Sequence, residues 1–276
     1  MNGFVSNNQG IGLKALVLYV LVFSNGLWRK TIFELPFAPF IGVIDFVPSW
    51  IYVYMLLPTF LVSALLVLLG KYVSISLTTF GLILFFLIMS SINVFSNSLT
   101  FTCLVIILSG LSLKSSYIIN IQVSFLYIGA FINKALDVDW WNGRFFDTLA
   151  TLRHPMPLFE FSSQYFNGLI VAQVFSISSM FIELTLGVLF LMRKKIAFAL
   201  GLMFHLGMLI LTNGKLSVLF MFIMSATYLI MIRDKYITNS LRQPLSQFLI
   251  YFWFVSLTVW NFRNKILEFY ILMNDM

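Results

Sequence analysis

The sequence predicts an all-α protein, a polytopic bundle of eight or nine transmembrane helices forming a single integral membrane domain over residues 1–276. Three observations predict it. Hydrophobic residues make up 60% of the chain and charged residues only 10%, where a soluble domain is about a quarter charged. Its 31 Phe are more aromatic surface than a water-exposed fold of this size can bury. Finally, apolar runs of about membrane-crossing length recur between short polar connections.

Taken in order, the runs fall at 12–28, 49–69, 75–95, 98–113, 117–135, 168–192, 195–212, 216–232 and 246–262. About 20 residues cross the hydrocarbon core, so the short fourth run is the one that separates nine spans from eight. Residues 1–13 carry no positive charge. The first run is therefore expected to be a retained helix and not the core of a cleaved signal. The single Cys103 lies inside an apolar run and is expected to be a packing residue.

The connections differ in kind. Those near Lys71, Lys114, Arg193-Lys194-Lys195 and Arg233-Asp234-Lys235-Arg242 are short and basic. Residues 29–48 and 136–167 are long and mix bases with acids, among them Glu34, Asp45, Asp137, Asp139, Asp147 and Glu160. Positive charge in short loops marks the cytoplasmic side, so the long polar connections are expected to be extracytoplasmic. Both hold prolines and aromatics, including Pro36, Pro39, Trp140, Trp141, Phe145, Phe146, Pro155 and Pro157. They read as interfacial structure, either an aromatic belt or a lid over a lipid-facing pocket. The net charge of +7 is spread over these loops, with no basic tract. The expected partner is therefore the lipid bilayer and not nucleic acid.

Ionisable residues inside or beside apolar spans are expensive, and each needs a reason. Lys134 ends the fifth run, and Tyr127 lies two helical turns earlier on the same face. Asp137 follows at i+3, within reach of Lys134 if the helix continues. Two readings of Lys134 stand. It is an amine snorkelling to the headgroups, or an amine in a dry pocket, where desolvation drives a lysine toward its proton-accepting form. Glu183 falls near the middle of the 168–192 run, with Ser176 and Ser179 near its face and Gln173 on the same helix. That stripe is either a tie between helices or part of a site. His205 is midway along its own run, and His154 is the only other His. Two His without an i, i+4 pair make a poor metal site, and none is expected. Arg144 and Arg153 could hold an anionic group or pair with the acids around them. No phosphate-binding glycine loop, nucleophile elbow or zincin helix is present.

The order of these features resembles the vitamin K-dependent gamma-carboxylase-like membrane family, also called the HTTM (horizontally transferred transmembrane) family. The residues that carry the resemblance are Gln122, Tyr127, Gly129, Lys134, Asp137, Asp139, Trp140 and Gly143. Downstream follow Glu183, the basic turn Arg193-Lys194-Lys195, His205, and Asn213-Gly214-Lys215-Leu216-Ser217. Together they make residues 118–232 the family-like core. The resemblance implies a quinol-like lipid as cofactor, with Lys134 as the base that deprotonates it and His205 stabilising charged intermediates. In the carboxylase, oxygenation of the deprotonated quinol gives a stronger base. That base removes the gamma-proton of a peptide Glu before CO2 adds. The carboxylase has a Lys pair where this chain has Asn133-Lys134. It also has a large extramembrane region for its protein substrate, whereas this chain ends soon after its last apolar run. A full Glu carboxylase is thus not expected. Other bacterial-type members of the family are small bare membrane domains, to which this chain is similar in size, and one branch of them works in the maturation or export of secreted antimicrobial peptides.

Three functions are therefore open. The first is a quinol-dependent modification or maturation factor in a bacterial-type cell membrane, acting on a peptide or protein on the extracytoplasmic side. Its catalytic candidates are Lys134, His205 and Glu183, and its substrate-binding candidates are Gln122, Tyr127, Asp137, Trp140 and Arg144. The second is a non-catalytic helper in peptide maturation or export, in which Lys134 snorkels. The third is a small-solute carrier, which requires a water path from both sides.

Overall fold

The computed structural model describes residues 6–23, 47–90, 96–115, 117–153, 156–211 and 218–231. The apolar run 246–262, residues 29–46, His154 and the segments 213–217 and 233–242 lie outside them. Every element among the described residues is helical. Three helices are long and apolar enough to cross a membrane: Val73–Ser90, Tyr117–Ala135 and Gly168–Leu191.

The chain divides into two compact units. The first takes its described residues from 1–119 and 218–237. It holds α1 (Asn7–Phe23), α2 (Ser49–Ile51), a π-helical turn over Tyr52–Leu56, α3 (Leu57–Leu69), α4 (Val73–Ser90), α5 (Asn97–Leu111) and α12 (Val218–Met231). Polar residues in these helices tie neighbours together, as they must where no water can satisfy them. Ser74 Oγ donates to the Gly110 carbonyl at 2.6 Å, and the Tyr52 and Ser90 hydroxyls lie 3.0 Å apart. Gln9 Nε2 donates to the Leu113 carbonyl at 2.8 Å. Phe60 stacks on Phe80, with ring centroids 4.3 Å apart. Cys103 is fully buried, its thiol 3.2 Å from the Gly81 carbonyl, and fills the packing role expected of it.

The second unit takes its described residues from 120–217. Its long helices are α6 (Tyr117–Ala135), whose first turn belongs to the first unit, α10 (Gly168–Leu191) and α11 (Ile196–Leu211). At 1.5 Å per residue α10 is about 36 Å long, enough to cross a hydrocarbon core of about 30 Å. Asn167 caps its start by accepting from the Leu169 N–H at 2.9 Å. Its outer face is apolar and exposed at Leu169, Ile170, Val174, Phe181, Ile182 and Val188, while Ser176, Ser179 and Glu183 are buried. That pattern is the reverse of a water-soluble surface helix and suits a lipid surround.

The connection from α6 to α10 is structured throughout its described residues. It holds α7 (Val138–Trp141), α8 (Arg144–Thr148), a π-helical turn over Leu149–Arg153, and α9 (Pro157–Ser163). Phe146, Ala150, Met156 and Phe159 pack with Val171 and Ala172 of α10 and Leu211 of α11. This cluster fastens the connection down. Gly143 lets the chain pass close over α10: its φ is +80°, and an added Cβ would lie 2.5 Å from the Gln173 backbone nitrogen.

Candidate functional site

Two polar pairs lie inside the second unit, and both start from α6. The Tyr127 hydroxyl and His205 Nε2 are 2.7 Å apart, with both side chains buried. Tyr127 also stacks on Phe190 of α10, the ring planes 3° apart and the centroids 5.8 Å apart. Two turns further along α6, Lys134 Nζ donates to Glu183 Oε1 at 2.6 Å. The i, i+7 spacing puts Tyr127 and Lys134 on one face, about 10 Å apart along the helix axis. The sequence places these residues on that face; the fold supplies each with a partner from a different helix.

Close approach of α6 and α10 makes the second pair. Gly187 leaves its face of α10 bare, and an added Cβ would lie 2.6 Å from Ile128 Cγ1 and 3.1 Å from the Ser124 carbonyl. Ser124 Oγ donates to the Gly187 carbonyl at 2.5 Å, locking the approach. Glu183 is one turn from Gly187, and the Lys134 side chain reaches it from the last turn of α6. A cation there also complements the negative end of the α6 dipole.

The Lys134 ammonium has a second neighbour, the Trp140 ring, 4.5 Å from nitrogen to centroid. Phe145 stacks on the same indole, at 4.3 Å between centroids. A cation between a carboxylate and an indole is held electrostatically on both counts. The Lys134 side chain keeps 20% exposure and that of Glu183 10%, so the pair is at the margin of the interior and is not sealed within it.

Glu183 is only half satisfied. Its Oε2 is buried and has no hydrogen-bond partner, and neither has Ser176 Oγ two turns away on the same buried face. Ser179, between them, donates to the Ser176 carbonyl at 2.9 Å. Gln122 is buried on α6 with both amide atoms lacking a partner. Buried polar atoms are nearly always paired, so these are places where a donor or acceptor fits.

The remaining sequence candidates fall as follows. Asp137 does not pair with Lys134; the helix stops short of it, and Asp137 caps α7 by accepting from the Asp139 N–H at 3.0 Å. Arg144 is exposed at the start of α8, and its guanidinium makes no ion pair among the described residues. The Arg153 side chain and His154 lie outside them. Among the described residues no three His, Cys, Asp or Glu side chains cluster as metal ligands do. Sequence reasoning missed Ser124 and Gly187, whose small size sets the helix approach, and Trp141. Trp141 Nε1 donates to the Ala135 carbonyl at 2.8 Å, and its own carbonyl accepts from Gln173 Nε2 at 2.9 Å. The signal available for them was a Ser and a Gly on otherwise bulky helices and a second Trp beside the first.

No family model matches the chain, and no curated protein or solved structure matches it.

Proposed function

We propose that this is an integral membrane protein of eight or nine spans whose second unit deprotonates a lipid-soluble hydroxyl compound of the quinol type. In this reading it serves the modification or maturation of a peptide or protein on the extracytoplasmic side of a bacterial-type cell membrane. The observation that carries the proposal is the juxtaposition of Lys134, Glu183 and Trp140 at the edge of an apolar interior, with one carboxylate oxygen unpartnered. Membranes tolerate ionisable residues where they do work, and an acid, a base and an aromatic face in one place are the means to bind and ionise a flat hydroxyl compound. The ordered resemblance of residues 118–232 to the gamma-carboxylase-like family supports the same reading. When bound, the quinol would supply the oxygen chemistry. The chain's own residues would hold it against Trp140, accept its proton and keep charge balanced.

The test is naphthoquinol binding to the purified protein followed by oxygen uptake, for wild type and Lys134→Ala. Tight binding with oxygen uptake that depends on Lys134 is the expected result. Absence of binding to wild type sinks the enzyme reading.

One observation favours a second reading, a non-catalytic helper. Lys134 is already paired, and a Lys–Glu pair inside a membrane can serve only to tie helices. In that case naphthoquinol does not bind, and Lys134→Ala changes stability alone.

A further inference from the structure

The family resemblance implies Lys134 as the base, but the geometry places the vacant lone pair elsewhere. Lys134 Nζ donates to Glu183 Oε1 at 2.6 Å, and as the ammonium of an ion pair it has three N–H donors and no acceptor. An ammonium cannot take a proton. Glu183 Oε2 can: a carboxylate oxygen is acceptor-only, and this one is buried with no partner. Leaving a charged acceptor buried and unpaired is unfavourable, which a donor arriving at that oxygen would relieve.

Resting on the quinol-type reading above, we infer that Glu183 Oε2, and not Lys134, is the proton acceptor for the bound hydroxyl. Lys134 is then the cation that stabilises the oxyanion left behind. The ligand O–H bond breaks and an O–H bond forms at Oε2, while the electron pair stays on the ligand oxygen. Lys134 keeps its own proton throughout. Before the step the charges are carboxylate, ammonium and neutral hydroxyl; afterwards they are carboxylic acid, ammonium and oxyanion. The ammonium exchanges one anionic partner for another, so no net charge is created in the low-dielectric interior. Ser176 Oγ, also unpartnered and on the same buried face of α10, is a further polar group on the Glu183 side. Of the pair, the Lys134 side chain is the more exposed, at 20%, and its ammonium sits over the Trp140 ring. Of the other titratable groups on the elements packed here, the Tyr127 hydroxyl lies against His205 Nε2 two turns back from Lys134, Tyr117 is in the first turn of α6, and Asp139, Arg144 and Asp147 are on α7 and α8.

The probe is an alkyl-chain 4-nitrophenol, added to the purified full-length protein in detergent, with binding followed by equilibrium dialysis and ionisation by the phenolate absorbance band. Wild type is expected to bind the phenol and ionise it at a lower pH than free solution does. Glu183→Gln, which can still accept from Lys134, should bind the phenol within a few-fold of wild type and leave it neutral. Lys134→Arg should still ionise it. Because Glu183→Gln could fold poorly, the infrared difference spectrum of wild-type protein provides a second measurement. Binding should raise a carboxylic acid carbonyl band and deplete a carboxylate band, both shifted by ¹³C-labelled Glu. Ionisation that survives Glu183→Gln but is lost in Lys134→Arg overturns the assignment, as does binding and ionisation in wild type with no carboxylic acid band. Binding without ionisation overturns the proton-acceptor role alone. No binding to wild type overturns both this assignment and the quinol-type function on which it rests.

Discussion

Glu183 grips Lys134 through one carboxylate oxygen, at 2.6 Å, and leaves the other oxygen buried and empty. The pair joins α6 to α10, so its loss should be felt in stability as well as in chemistry. Lys134→Met or Glu183→Leu alone strands a charge at the edge of an apolar interior, and each is expected to lower stability by about 3–5 kcal/mol. Lys134→Met combined with Glu183→Leu removes both charges and should recover most of that. Thermal unfolding of the four proteins in detergent micelles gives the coupling directly, and simple additivity of the single effects would show that the pair is not coupled.

Gly187 should control that coupling. Any side chain at 187 must displace Ile128 or the Ser124 carbonyl from α10. Gly187→Leu is therefore expected to destabilise by about 1–3 kcal/mol through overpacking. It should also reduce the Lys134–Glu183 coupling to near zero when the same cycle is repeated in that background. Retention of full coupling would mean that helix approach does not set the ion pair.

Two of Tyr127's contacts are separable by substitution. Tyr127→Phe keeps the stack on Phe190 and deletes the hydroxyl at 2.7 Å from His205, so a loss of about 0.5–1.5 kcal/mol is expected. Tyr127→Leu loses the ring pair too and should cost about 0.5–1.5 kcal/mol more. Equal losses from the two substitutions would assign Tyr127's contribution to its hydroxyl, and no loss from Tyr127→Phe would assign it to the ring.

Gly143 is the hinge on which the connection passes over α10. An alanine there meets both an unfavourable φ of +80° and the Gln173 backbone at 2.5 Å. Gly143→Ala should raise hydrogen exchange and proteolysis across residues 137–163 while leaving α4 and α5 as protected as in wild type. Unchanged protection of 137–163 would contradict the local reading.

Helix class and most helix positions were legible because long apolar stretches must satisfy their backbone internally wherever water is excluded, so they become helices. The run 117–135 and the helix Tyr117–Ala135 coincide for that reason. The polar stripe of Ser176, Ser179 and Glu183 was legible from helical periodicity, and it is buried as a stripe. Partners were not legible. Periodicity offered Asp137 for Lys134 because it reads only along one chain segment, whereas the ion pair that formed crosses 49 residues. What decides it is the fit of Gly187 against α6, a contact that no spacing in either helix announces.

The central claim is that a quinol-type compound binds beside Lys134 and Glu183, and photolabelling tests it most directly. A naphthoquinone carrying a diazirine would be irradiated with the purified protein and the adducts mapped by mass spectrometry, with and without excess unlabelled naphthoquinone. The account predicts competed labelling concentrated in the segments 127–141 and 176–187. Labelling that is uncompeted, or spread along the exposed apolar face of α10 at Leu169, Ile170 and Val174, would contradict it.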